Sequence, residues 1–109
     1  MPKYLFQGSY TLEGVKGLVK DGGSKRRAAA QQALQSVGGK LEAFYFAFGK
    51  DDIIGIADVP ENVSMAALSL TLASSGAFNA RTTVLLTPEE IDQAAKKTVK
   101  YSPPGAAGS

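Results

Sequence analysis

Residues 3–12 alternate in type, with Tyr4, Phe6 and Tyr10 on one face around Gly8 and Leu5, Gln7, Ser9 and Thr11 on the other. That period of two predicts a first strand. From Glu13 the period lengthens. Val15, Leu18 and Val19, then Ala30, Ala33, Leu34 and Val37, recur at three- and four-residue spacings, with Gly22-Gly23 between the groups. A helix in two pieces follows, the second capped by Ser24 and ended by a left-handed glycine in Gly38-Gly39. Residues 40–48 and 52–59 are rich in aromatic and β-branched side chains and flank Gly49-Lys50-Asp51, the pattern of a hairpin. Pro60-Glu61-Asn62 then opens a helix carrying Met65, Ala66, Leu68, Leu70, Leu72 and Ala73, which Ser74-Ser75-Gly76 closes. A fourth strand covers residues 77–86, with Phe78, Val84, Leu85 and Leu86. Thr87-Pro88-Glu89-Glu90 is a capping box with proline at the first helical position, and Ile91, Ala94, Ala95 and Val99 give the last helix an apolar stripe. Lys96, Lys97 and Lys100 stand where they complement its dipole.

The order strand, helix, strand, strand, helix, strand, then an extra helix, predicts an α+β, ferredoxin-like βαββαβ fold. Right-handed crossovers give a four-stranded antiparallel sheet in the order 4-1-3-2, with both main helices on one face. The other face is then the informative one. Phe44, Phe46 and Phe48 alternate with Ala43, Tyr45 and Ala47, and Ile54 and Ile56 alternate with Ile53, Gly55 and Ala57, so neither set is polar. A monomer would expose Phe44, Phe46 and Ile54, or else Tyr45, Ile53 and Ala57, over a larger apolar patch than monomers tolerate. The expected partner is therefore a second copy, a homodimer through the sheet face, with further assembly through residues 88–99. Residues 1–101 form one domain, and residues 102–109, with Pro103, Pro104 and only small side chains after them, form a mobile tail.

Composition narrows the chemistry. A chain of 109 residues holds one ordinary core, and 12 Lys and Arg against 10 Asp and Glu leave a net charge of +2. That is too little to make nucleic acid or a membrane the expected partner. With no cysteine and no histidine, the chain has no disulfide, no thiolate metal site and no imidazole base. No cofactor and no metal are expected, and catalysis would fall to carboxylates, Tyr, Lys or Arg. The start of the chain has no apolar run of signal-peptide length, and Met65–Ala77 is too short and too punctuated to span a membrane. A cytoplasmic location is the expectation.

Several short motifs, in order along the chain, resemble those of the GYD domain family of small bacterial and archaeal proteins. They are Gly8-Ser9-Tyr10-Thr11 with Gly14, Gly38-Gly39-Lys40, Phe44-Tyr45-Phe46, Gly49 with Asp52, and Arg81-Thr82. The resemblance runs over residues 3–99. At the name-giving motif the family tends to have tyrosine before the aspartate, whereas this chain has Asp51-Asp52. No role of that tyrosine carries over. The resemblance implies a dimeric α+β barrel, in which two ferredoxin-like protomers pack sheet against sheet and some relatives use a pocket in each protomer.

Two clusters carry candidate binding chemistry. In the fourth strand Asn79, Arg81 and Thr83 share a face, as do Gln7, Ser9 and Thr11 in the first. If the faces coincide, six polar groups gather around one guanidinium suited to a carboxylate or polarised carbonyl. The plainer alternative pairs Arg81 with an acid such as Asp52 or Asp58. Tyr10 and Tyr45 are the candidate donors beside it. Gly22, Gly23, Ser24 and Arg26 form a weaker anion site, since backbone N–H groups open a helix there beside Lys25, Arg26 and Arg27. Gly17–Ser24 has P-loop glycine spacing, but Gly23 stands at the lysine position, which excludes a nucleotide triphosphatase. The leading expectation is a non-enzymatic or weakly catalytic homo-oligomer that binds a small polar or anionic organic molecule near Arg81. The alternatives are a cofactor-independent oxygenase or isomerase using Tyr10, Tyr45 and Arg81, and a trimeric ferredoxin-like regulator.

Overall fold

Strand β1 (Lys3–Tyr10) runs through the middle of a four-stranded antiparallel sheet. β4 (Phe78–Leu85) flanks it on one side and β3 (Ile53–Asp58), then β2 (Lys40–Phe46), on the other. The order β2-β3-β1-β4 is the predicted ferredoxin-like order read from the other edge. Helices α1 (Leu12–Asp21) and α2 (Gly23–Ser36) make the first crossover, α3 (Asn62–Ser74) makes the second, and α4 (Pro88–Ala95) follows β4. This computed structural model describes residues 1–105, so residues 106–109 of the expected tail lie outside the described residues.

Local chemistry sets the boundaries. Thr11 leaves the first strand and becomes the N-cap of α1, its hydroxyl accepting from the Gly14 N–H at 3.2 Å and donating to the Gly76 carbonyl. That removes Thr11 from the polar face expected of it. Gly22, at φ 84°, ends α1 by donating its N–H to the Leu18 carbonyl at 2.8 Å, and it is also the N-cap of α2. Ser24 therefore sits inside α2 and caps nothing. Gly38 takes the left-handed conformation expected after α2, at φ 78°.

A bulge at Glu42 decides which faces the strands share. Leu41 lies opposite Ala57 and Ala43 opposite Ile56, so Glu42 is the extra residue. Beyond it Phe44 pairs with Gly55, Tyr45 with Ile54 and Phe46 with Ile53. Residues opposite one another share a face, which corrects the grouping of Phe44 and Phe46 with Ile54. The helix-covered face holds Tyr4, Phe6, Tyr10, Phe44, Phe46, Ile53 and Ala57, and the open face holds Leu5, Gln7, Ala43, Tyr45, Ile54 and Ile56. Gly55 is required by this register, because a Cβ there would lie 2.2 Å from the Phe6 ring.

The buried core is small: Tyr4, Phe6, Leu34, Ile53, Ala57, Val59, Met65 and Phe78. The Tyr4 hydroxyl donates to the Asn62 side chain at the start of α3. At one end of the open face Lys3 reaches both Asp58, at 2.9 Å, and Glu42, at 3.0 Å. Hydrogen bonds to Asp58 first and Glu42 second raise the Lys3 pKa above 10.5. A cation with a raised folded value stabilises the fold fully below its unfolded value and loses that contribution as pH rises through the folded one. Lys3→Met is therefore expected to lower the melting temperature at pH 7, and the gap to the wild type should close in strongly alkaline buffer. Paired melts at the two pH values check this.

The last helix is a departure from the rest. Every residue from Pro88 to Gly105 is exposed, and α4 buries none of its side chains against the domain. The molecule measures 63 × 29 × 24 Å, with a radius of gyration of 18.0 Å. A compact domain of this length would have about 13 Å.

Candidate ligand-binding site

Between the covered face of the sheet and the helices lies a cavity of about 370 Å³. Its floor is Phe6, Phe44, Ile53, Phe78 and Ala80 from the strands, and its walls come from α1 and α2 on one side and α3 on the other. Helices in a packed layer lie 8–10 Å apart and interdigitate. Here the inward positions of the first crossover are too small for that: Gly14, Gly17, Ala29, Ala30 and Ala33 all line the space. Opposite them, α3 offers Met65, Leu68 and Leu72. The result is volume that no side chain fills, walled mostly by carbon. Aromatic rings define its ends, with Tyr10 edge-on to Phe78 at 5.2 Å and Phe6 6.4 Å from Phe44.

The charged and phenolic groups on the wall are Tyr10, Glu13 and Arg26, and Thr71 and Ser75 of α3 and Thr82 of β4 add hydroxyls. Tyr10 is fixed at its backbone, since its N–H donates to the Asp52 carboxylate at 3.0 Å while the Asp52 N–H donates to the Gly8 carbonyl at 2.8 Å. The hairpin acid thus ties the β2–β3 loop to the end of β1. Burial pushes the Tyr10 phenol above its ordinary pKa, against the opposing pull of the Arg26 guanidinium. The phenol is therefore a hydrogen-bond donor at neutral pH. Arg26 makes one long bond, to Asp21 at 3.3 Å, which leaves most of its five N–H donors unspent on protein side chains.

The sequence-predicted residues divide between two faces. Gln7 lies directly opposite Arg81 and Ser9 opposite Asn79 on the open face, where Tyr45 also stands two strands away. Tyr10 projects to the covered face and so stands apart from that group. The Arg81 fork is occupied: both terminal nitrogens donate to Asp51, at 3.2 and 2.9 Å. Asp51 takes the place that Asp52 or Asp58 was expected to hold, because it sits at the loop end facing the middle of β4. In the weaker anion site, the Gly22 N–H is spent on α1 and Arg26 turns toward Asp21 and the cavity. The sequence pattern marks Leu18, Met65, Leu68 and Leu72 as apolar helix positions but not the cavity they border. The signal of the cavity is the run of Gly and Ala at inward positions of α1 and α2, where a filled core would carry Leu or Ile.

No curated protein and no solved structure matches the chain. Residues 4–95, from the first strand through α4, match the GYD domain model. With that match covering most of its 109 residues, the chain belongs to the GYD domain family.

Proposed function

We propose that this protein is a homodimeric binding module whose cavity takes a compact, largely apolar organic acid. The observation that supports this best is the cavity of about 370 Å³, mostly apolar, with Arg26 and Tyr10 beside Glu13 on its wall and hydroxyls from Thr71, Ser75 and Thr82. It falls within the usual range of roughly 300–1,000 Å³ for small-molecule sites, which join an apolar body to a few convergent polar groups. At about 30 Å³ per water, its volume equals roughly a dozen waters, the size of a one- or two-ring acid. The apolar part would lie between Met65, Leu68 and Phe78, and the carboxylate would meet Arg26, with the Tyr10 phenol as second donor. Arg26 is better suited to an incoming acid than Arg81, whose fork Asp51 already fills. The dimer would form through the open sheet face, where Tyr45 is 70% and Ile54 38% exposed.

Melting curves with 2-naphthoate and with 2-naphthamide test the binding. The acid should raise the melting temperature in proportion to the logarithm of its concentration, because a ligand that binds only the folded state stabilises by mass action. Arg26→Gln should abolish the preference for acid over amide, and Ala30→Phe, which fills the space, should abolish both responses. No shift with either compound overturns the reading. Catalysis is the second reading, favoured by the phenol held protonated beside a guanidinium, a pair able to polarise a carbonyl. A Tyr10→Phe chain that binds normally but loses turnover would mark an enzyme.

A further inference from the structure

We infer that Gly17 is a specificity-determining residue of the cavity, its missing side chain leaving room for the polar head of the bound molecule between Tyr10 and Arg26. The inference rests on the cavity being a binding site and adds where in it the head group lies.

Glycine is, after proline, the least favourable residue inside a helix, because it has the most backbone freedom to lose. Gly17 nevertheless stands in the middle of α1. Its φ lies outside the left-handed region that Gly22 and Gly38 occupy, so the backbone conformation does not call for glycine. Close packing does not call for it either. A Cβ at Gly14 would lie 2.0 Å from the Ala77 carbonyl oxygen, whereas a Cβ at Gly17 would meet nothing within 4 Å outside its own stretch of helix. The open space is the cavity, which Gly17 lines. The larger side chains of α1 are turned the other way: Leu12, Val15 and Val19 are exposed, and only Leu18 joins the lining. A helix that had only to fill a core would place its valines inward.

The surroundings of Gly17 say what the space is for. Residues three and four apart are neighbours on one helix face. Three residues before Gly17, Gly14 stands against the Tyr10 ring, where a Cβ would lie 2.8 Å from Cδ1. Four residues after it, Asp21 accepts from Arg26 at 3.3 Å. The phenol and the guanidinium therefore bracket Gly17 along α1, and they stand close enough for Arg26 to act on the phenol electrostatically. Glu13, the acid on the same wall, has Lys16 at 4.0 Å. The hydroxyls of α3 are spent within their own helix, Thr71 donating to the Ala67 carbonyl at 2.9 Å and Ser75 to the Leu72 carbonyl at 2.7 Å. Arg26 and Tyr10 are left as the anchoring donors, and a carboxylate lying over Gly17 would accept from both.

Melting curves of the full-length chain with 2-naphthoate, 2-naphthamide and naphthalene test the assignment. Without ligand, Gly17→Ala should melt several degrees above the wild type, since the helix gains from the exchange and nothing is displaced. Gly17→Val should need at least about tenfold more 2-naphthoate or 2-naphthamide to reach the wild-type shift, because its side chain takes the place of the head group. It should answer naphthalene, which has no head group, as the wild type does. Arg26→Gln, by contrast, should lose only the preference for acid over amide. A Gly17→Ala chain that melts below the wild type would show a packed position and overturn the inference. A Gly17→Val chain that binds the acid as the wild type does overturns it too, and leaves the cavity standing as a binding site. Loss of naphthalene together with the acid would put the apolar body, not the head, against Gly17 and equally overturn it. A wild type that answers none of the three compounds overturns the binding reading itself, and this inference with it.

Discussion

Gly8→Ala should cost about 3 kcal/mol or more of folding stability, read as a lower urea midpoint at unchanged slope. Gly8 pairs with Ala80 where β4 crosses β1 at close range. A Cβ at this position would lie 1.9 Å from the Asn79 carbonyl oxygen and 2.9 Å from the Ala80 Cα. Both neighbours are backbone, so relief requires moving a strand. β4 and β1 carry Phe78 and Tyr10, whose rings meet at the end of the cavity, and the shift would open that end as well. Against a total stability of about 5–15 kcal/mol the loss is large. A variant as stable as the wild type would show that the approach of β4 to β1 is looser than these distances.

If the protein pairs through its open face as proposed, Ile54→Asp should leave a monomer near 11.4 kDa, raising the dissociation constant of that proposed dimer by at least about a hundredfold. Ile54 stands on the open face between Gln7 of β1 and Tyr45 of β2, with Leu5 and Ile56 one pair further along. The ion pairs of Lys3 with Asp58 and Arg81 with Asp51 lie toward the margins of that face. Two-fold symmetry would place the new carboxylate twice within the covered face, and burying an unpaired charge costs several kcal/mol. Sedimentation of wild type and variant at low micromolar concentration gives the answer. A wild type that is itself monomeric removes the premise that a second copy covers this face.

Most of the fold is legible in the sequence because its signals are local. Alternation marks β1, the glycine break at Gly22 separates α1 from α2, and Thr87-Pro88-Glu89-Glu90 fixes the start of α4 to the residue. Register is another matter. The bulge at Glu42 is a choice between neighbouring strands, stabilised by Lys3 from a third, and nothing within residues 40–48 announces it. The face assignment of Phe44 and Phe46 follows from that single extra residue. Gln7, Ser9, Asn79 and Arg81 do share a face, since period two fixes it within each strand and the β1–β4 register aligns them. The partner of Arg81 lies on a loop, 30 residues away, where no period applies. The cavity is legible only in retrospect, because Ala29, Ala30 and Ala33 read equally well as a closely packed helix face. Whether small residues produce close packing or an open space depends on how near the facing helix stands.

The placement of the ligand inside the protomer, under the helices and against Arg26, is the claim on which the functional account depends. Magnetisation transfer between bound 2-naphthoate and the protein tests it most directly, in the full-length chain with labelled methyl groups. Transfer from the ring protons to Met65, Leu68 and Leu72, absent in Ala30→Phe, is the result expected of an acid seated between α2 and α3. Transfer instead to Leu5, Ile54 and Ile56 would place the acid on the open face of the sheet and contradict the account.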